Sequence, residues 1–199
     1  MKGEQNAKNS QGAGNCSPFV FLTKIKSPNH ETRLHRLGPS GQGPGQGINL
    51  KGRMCMNKAE EAAARFKKGF NCAQAVLSAF GPSLGLDKEK ALQVAGAFGG
   101  GMAHMGEVCG AVTGAFMVIG LKYGKVRAAD DLSKERTYQT TLEFVQKFKA
   151  RHGSILCRKL LNYDISIPGE MEAAKKEKLF TTLCPQLVRD AAVILEEIL

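Results

Sequence analysis

The chain has 199 residues (21.4 kDa), 43% of them hydrophobic and 23% charged, which suits one domain with a buried core, or one domain plus a tail. Its formal net charge of +10 is unevenly spread: residues 1–53 hold 8 basic and 2 acidic residues, leaving only +4 for residues 54–199. A domain so mildly basic, without a dense Lys/Arg run interleaved with aromatics, argues against nucleic acid as a partner. Its longest apolar run, Val108–Leu121, falls short of the ~18 residues a membrane span requires, so no membrane partner is expected.

Residues 1–53 contain nine Gly and four Pro, crowded into Gly38-Pro39-Ser40-Gly41-Gln42-Gly43-Pro44-Gly45-Gln46-Gly47. Ordering such a segment costs much chain entropy, and it has few apolar groups to offset that cost. It reads as a disordered or non-native extension, since Met54 and Met56 stand directly before the first helix signal. The expected domain is 54–199, and removing 1–53 should leave its stability unchanged. Pro18–Leu22 is too short for the apolar core of a secretory leader. The six cysteines therefore suggest a reducing cytoplasm, where reactive or metal-binding roles outrank disulfides. Cys16 and Cys55 fall outside the expected core.

From Asn57 onward apolar residues recur with a period near 3.6 and no strand alternation emerges, so the expected fold is all-α, a bundle of about six to eight helices. Asn57 with Glu60 reads as a capping box for a helix to about Lys68. Asn71 caps a second, Cys72–Phe80, ended by Gly81-Pro82. Asp87 caps a third to about Phe98, before the break at Gly99–Gly101. A fourth runs from Gly106 to Tyr123, with Gly106, Gly110 and Gly114 giving a face of small residues for close helix packing. The fifth spans Leu132–His152 and ends at Gly153. Ser154 caps a sixth to Leu161, Glu170–Phe180 is a seventh, and the last opens near Thr182–Pro185.

Cys72, Cys109, Cys157 and Cys184 each fall near an expected helix start, where the partial positive charge of the helix end favours thiolate. The spacings contain no Cys-x-x-Cys, so neither a thioredoxin-like pair nor a simple zinc ribbon is indicated, and Cys-x-x-Cys-His haem attachment is also missing. Spacing alone leaves two readings open: a shared site, or four separately buried thiols. His104 and His152, each five residues before a cysteine, are candidate proton donors but fit ordinary loop and helix-end positions. Arg158 and Arg189 could steady a thiolate but suit a solvated face.

The segments around these cysteines resemble the redox-active family named for its cysteine pattern, C_GCAxxG_C_C. Gly69-Phe70-Asn71-Cys72-Ala73-Gln74-Ala75-Val76-Leu77 is similar to its first segment and Cys109-Gly110-Ala111-Val112-Thr113-Gly114 to its central element, although Gly106 precedes Cys109 by three positions rather than one. Cys157 with Leu160-Leu161-Asn162-Tyr163-Asp164, and Cys184-Pro185 with Val188-Arg189-Asp190-Ala191-Ala192, resemble the third and fourth. The likeness covers about Asn57 to Leu199. It implies electron or thiol chemistry at a shared site.

Two thiolates ~4 Å apart at an effective dielectric of 20 repel by roughly 4 kcal/mol, about three pKa units, whereas a helix end returns ~0.3–2 kcal/mol. Four convergent thiols must therefore stay partly neutral, pair as disulfides, or bind a cation. The first expectation is an electron-transfer protein holding an iron–sulfur cluster, [2Fe–2S], on Cys72, Cys109, Cys157 and Cys184. The second is a cofactor-free thiol–disulfide oxidoreductase in which Cys72 attacks and Cys109 resolves. The third is a zinc-stabilised interaction module on the same four ligands. A redox partner protein is implied, with a homodimer as one option.

Overall fold

The computed structural model describes residues 57–199, and the readings of residues 1–53, Cys16 and Cys55 lie outside them. The described residues form nine helices: α1 (Lys58–Lys67), α2 (Cys72–Phe80), α3 (Lys88–Val94), α4 (Gly99–Met102), α5 (Gly110–Tyr123), α6 (Asp131–His152), α7 (Cys157–Leu161), α8 (Pro168–Lys176) and α9 (Leu179–Ile198). They hold no strand, only an isolated bridge pairing Val108 with Leu156. The all-α expectation stands.

Helix starts follow local capping chemistry. Asn71 and Gln74 form a full capping box: Asn71 Oδ1 accepts from the Gln74 N–H at 2.9 Å and Gln74 Oε1 from the Asn71 N–H at 3.0 Å. Both side chains also reach across, Asn71 Nδ2 to the Gly96 carbonyl (2.9 Å) and Gln74 Nε2 to that of Leu92 (3.0 Å), which fixes α2 against the end of α3. At α1 only half the expected box forms. Asn57 Oδ1 accepts from the Glu60 N–H, but the Glu60 carboxylate pairs with Arg189 of α9.

α5 is apolar on every side and lies at the centre, as a helix without a polar face must. It crosses α2 at its glycines: a Cβ on Gly110 would stand 2.9 Å from Cys72 Cβ, and one on Gly114 2.9 Å from the Ala73 carbonyl. α1 and α9 pack together and close the core over α2 and α5. Within it, α9 buries Leu187, Val188, Ala191, Ala192, Ile194 and Leu195.

Four boundaries differ from expectation, each for a physical reason. The third helix ends at Val94 and passes through a 3-10 turn, Gly96–Phe98. α5 starts at Gly110 rather than Gly106, because Gly106 turns with φ +70° and the backbone of residues 106–109 bonds to residues 155–158. The Cys157 N–H donates to the Glu107 carbonyl (2.6 Å), Arg158 N–H to that of Gly106 (3.0 Å) and Cys109 N–H to that of Ile155 (2.8 Å). α7 therefore begins at Cys157, with Ser154 Oγ accepting from the Leu156 N–H one turn early. α9 opens at Leu179, drawing in Phe180 from the expected seventh helix; the Thr181 and Thr182 hydroxyls bond the Lys178 carbonyl there, and Pro185 lies inside the helix.

The Gly99–Gly101 break is a left-handed turn. Gly100, Gly101, Met102, Ala103 and His104 all have φ between 51° and 67°. Three of these are not glycine, and a left-handed residue with a Cβ costs ~1–2 kcal/mol. The turn lets Gly101 sit where a Cβ would meet that of Cys157 at 2.6 Å.

Candidate redox site

Cys72, Cys109, Cys157 and Cys184 line one cavity of about 510 Å³. All four are free thiols, between 2% and 8% exposed. The fold places each by a different device. Cys72 is the first residue of α2 and Cys109 the N-cap of α5, joined by the Gly110 crossing. Cys157 opens α7 and is tied to the Cys109 segment by the backbone bonds of residues 106–109. Cys184 is the exception to the helix-start rule, standing six residues into α9. It reaches the cavity on a helical stripe with Phe180 and Leu187, which also line the wall.

Helix ends do not dominate the thiol chemistry. Interaction with the neighbouring Cys184 sulfur, together with burial, holds the Cys72 thiol well above the ordinary thiol pKa. The same pairing lowers Cys184, against its burial. Burial raises Cys109 to about 11, although the N–H groups of Ala111 and Val112 pull the other way. Cys157 is raised by burial and by its sulfur neighbours Cys109 and Cys184. The expectation of a lowered Cys72 at its helix start is corrected. In this cavity desolvation and the thiol pair outweigh the helix end, and of the four only Cys184 is moved downward.

Of the two histidines, His104 lines the cavity at the end of the left-handed turn. His152 ends α6 away from it, against the Phe148 ring and with Nε2 3.2 Å from Asp190 Oδ2. Arg158 braces the loop beside Cys157, donating to the Gly106 carbonyl and pairing with Glu107 and Asp164. Arg189 pairs with Glu60. The cavity wall is mostly apolar, with Phe66, Phe70, Phe180, Leu161 and Leu187, and Lys67 stands among them. Sequence reasoning passed over these residues, yet Phe180, Cys184 and Leu187 fall at i, i+4 and i+7, a spacing that would have found two of them.

As ligands for metal, the four thiols have the softness that zinc or an iron–sulfur cluster requires. Among the described residues no three His, Cys, Asp or Glu side chains stand together closely enough to hold one metal ion, as tetrahedral zinc requires.

An all-α core with four free thiols on one apolar cavity defines a thiol-bearing helical domain. The chain belongs to the family described as "Putative redox-active protein (C_GCAxxG_C_C)", whose model matches residues 70–198. No curated protein and no solved structure matches it. Among the described residues no helix is long and apolar enough to cross a membrane.

Proposed function

We propose that this family member carries two electrons as a dithiol–disulfide couple, with Cys184 attacking and Cys72 resolving. The observation that supports it is the placement of Cys72 and Cys184 on one cavity as interacting sulfurs, an arrangement that favours ionisation of one beside a second that keeps its proton. The Cys184 thiolate attacks one sulfur of a substrate disulfide, forming a mixed disulfide and expelling a substrate thiolate, which takes up a proton. Cys72 then loses its proton and attacks Cys184 Sγ. This forms the Cys72–Cys184 disulfide and releases the second substrate thiol. The substrate disulfide is reduced to two thiols, the protein is oxidised by two electrons, and an external dithiol returns it to the starting state. In this reading Cys109, the resolving cysteine expected from sequence, gives way to Cys184 as the partner of Cys72, because Cys184 is the sulfur that acts most strongly on Cys72. The free thiols suit the reducing compartment that the cysteine usage implies.

A second reading draws on the convergence of all four cysteines on one cavity, which supplies the number and type of donors for an iron–sulfur cluster. Iron and acid-labile sulfide analysis of anaerobically purified protein, with its visible spectrum, distinguishes the two. The dithiol reading expects a colourless protein without stoichiometric iron, which loses two thiols per molecule on oxidation. Stoichiometric iron and sulfide lost in each of the four Cys→Ser variants would replace it with the cluster.

A further inference from the structure

Beside the thiol cavity lies a smaller recess of about 220 Å³, lined by Glu61, Ala64, Arg65, Lys68, Phe70 and Lys88. Phe70 lines both spaces. Three of the six are cations and one is a carboxylate, and that carboxylate is already engaged. Glu61 pairs with Lys58 and with Arg65 Nη2, which keeps its pKa below the ordinary carboxylate value although burial works the other way. Arg65 Nη1 is buried and has no hydrogen-bond partner, a costly state for a charged donor. Lys68 and Lys88 are exposed and form no ion pair among the described residues.

Ordinary helix electrostatics explains part of this. Arg65 and Lys68 stand at the C-terminal end of α1, where cations are favoured. It does not explain Lys88, the first residue of α3, where the helix end disfavours a cation. The thiols themselves are at most 8% exposed at an apolar cavity, so they are within reach of a small molecule and not of a disulfide embedded in a folded protein surface.

We propose that Arg65, Lys68 and Lys88 bind the anionic group, a carboxylate or phosphate, of a small-molecule disulfide whose apolar, sulfur-bearing part passes Phe70 to the thiols. This rests on the dithiol reading for its chemistry, which is the exchange written above, and on the recess for its specificity. The full-length protein, the Lys68→Gln/Lys88→Gln variant and a distant control, Lys176→Gln, are titrated with inorganic phosphate and with succinate while the melting temperature is followed. Turnover is then measured with dithiodiglycolate, which is anionic, and with bis(hydroxyethyl) disulfide, which is neutral. A saturable shift kept in the control and lost in the double variant supports the site, and the stronger of the two anions tells phosphate from carboxylate. The KM for dithiodiglycolate should rise by about tenfold or more, with the neutral KM unchanged. An equal thermal shift in the double variant, or equal KM changes for both disulfides, overturns the proposal. No turnover with either disulfide alongside an anion shift confined to the recess would remove the dithiol reading and support the anion site alone.

Discussion

Cys72 and Cys184 are interacting sulfurs that move in opposite directions: Cys72 holds its proton, and Cys184 is stabilised as thiolate. Removing Cys72 should therefore slow Cys184. In Cys72→Ala, alkylation of Cys184 by iodoacetamide at neutral pH, followed by peptide mass spectrometry, should fall, since less of the thiol is ionised. An unchanged rate would separate the two sulfurs. Cys109 makes a pH prediction with a definite sign. Its folded pKa of about 11 lies above the ordinary 9.0, so above pH 9 the unfolded chain gives up a proton that the folded one keeps. Its contribution is complete below pH 9 and is lost as pH rises toward 11, about 2–3 kcal/mol for a fully buried group. Cys72 and Cys157 are raised too and act in the same direction. Denaturant melts across this range should show a fall that Cys109→Ala reduces, and stability that rises with pH would contradict the burial argument. The sequence identified the four thiols but not which of them act on one another, because an interaction between two sulfurs leaves no trace in spacing.

At the level of the elements, the small residues of α5 hold the site together. Gly114 has the Ala73 carbonyl 2.9 Å and Val76 Cβ 3.0 Å from where its Cβ would stand, whereas Gly120, on the same helix, has nothing within 4 Å. Gly114→Ala should lower stability by roughly 1–3 kcal/mol through overpacking, and Gly120→Ala should raise it by up to about 1 kcal/mol through helix propensity. Equal effects in urea melts would mean the α2–α5 crossing is looser than described. That small-residue face was legible from its spacing, as were α2 from its Asn71–Gln74 box and the end of α6 at Gly153. The starts of α5 and α9 were not. Gly106 reads as a helix opening until the backbone bonds of residues 106–109 with 155–158 are known, a contact across about fifty residues. Pro185 reads as a first-turn residue, yet α9 accommodates it in its seventh position because the preceding turn is anchored at Lys178.

Across the whole molecule, chain folding converts four cysteines separated by up to 112 positions into one apolar cavity. The family match, over residues 70–198, takes in all four. Their grouping was legible only because four segments carried it together, while the walls of the cavity, Phe66 and Phe180 on helix faces and Phe70 in the loop before α2, are not distinguished from core by composition. The most direct test of the dithiol reading is the disulfide map after stoichiometric two-electron oxidation of the full-length protein, read by peptide mass spectrometry without prior reduction. The account predicts a single link, Cys72 to Cys184, with Cys109 and Cys157 still alkylated as free thiols. A dominant link involving Cys16 or Cys55, or one that joins Cys109 to Cys157 and leaves Cys72 and Cys184 free, would contradict it.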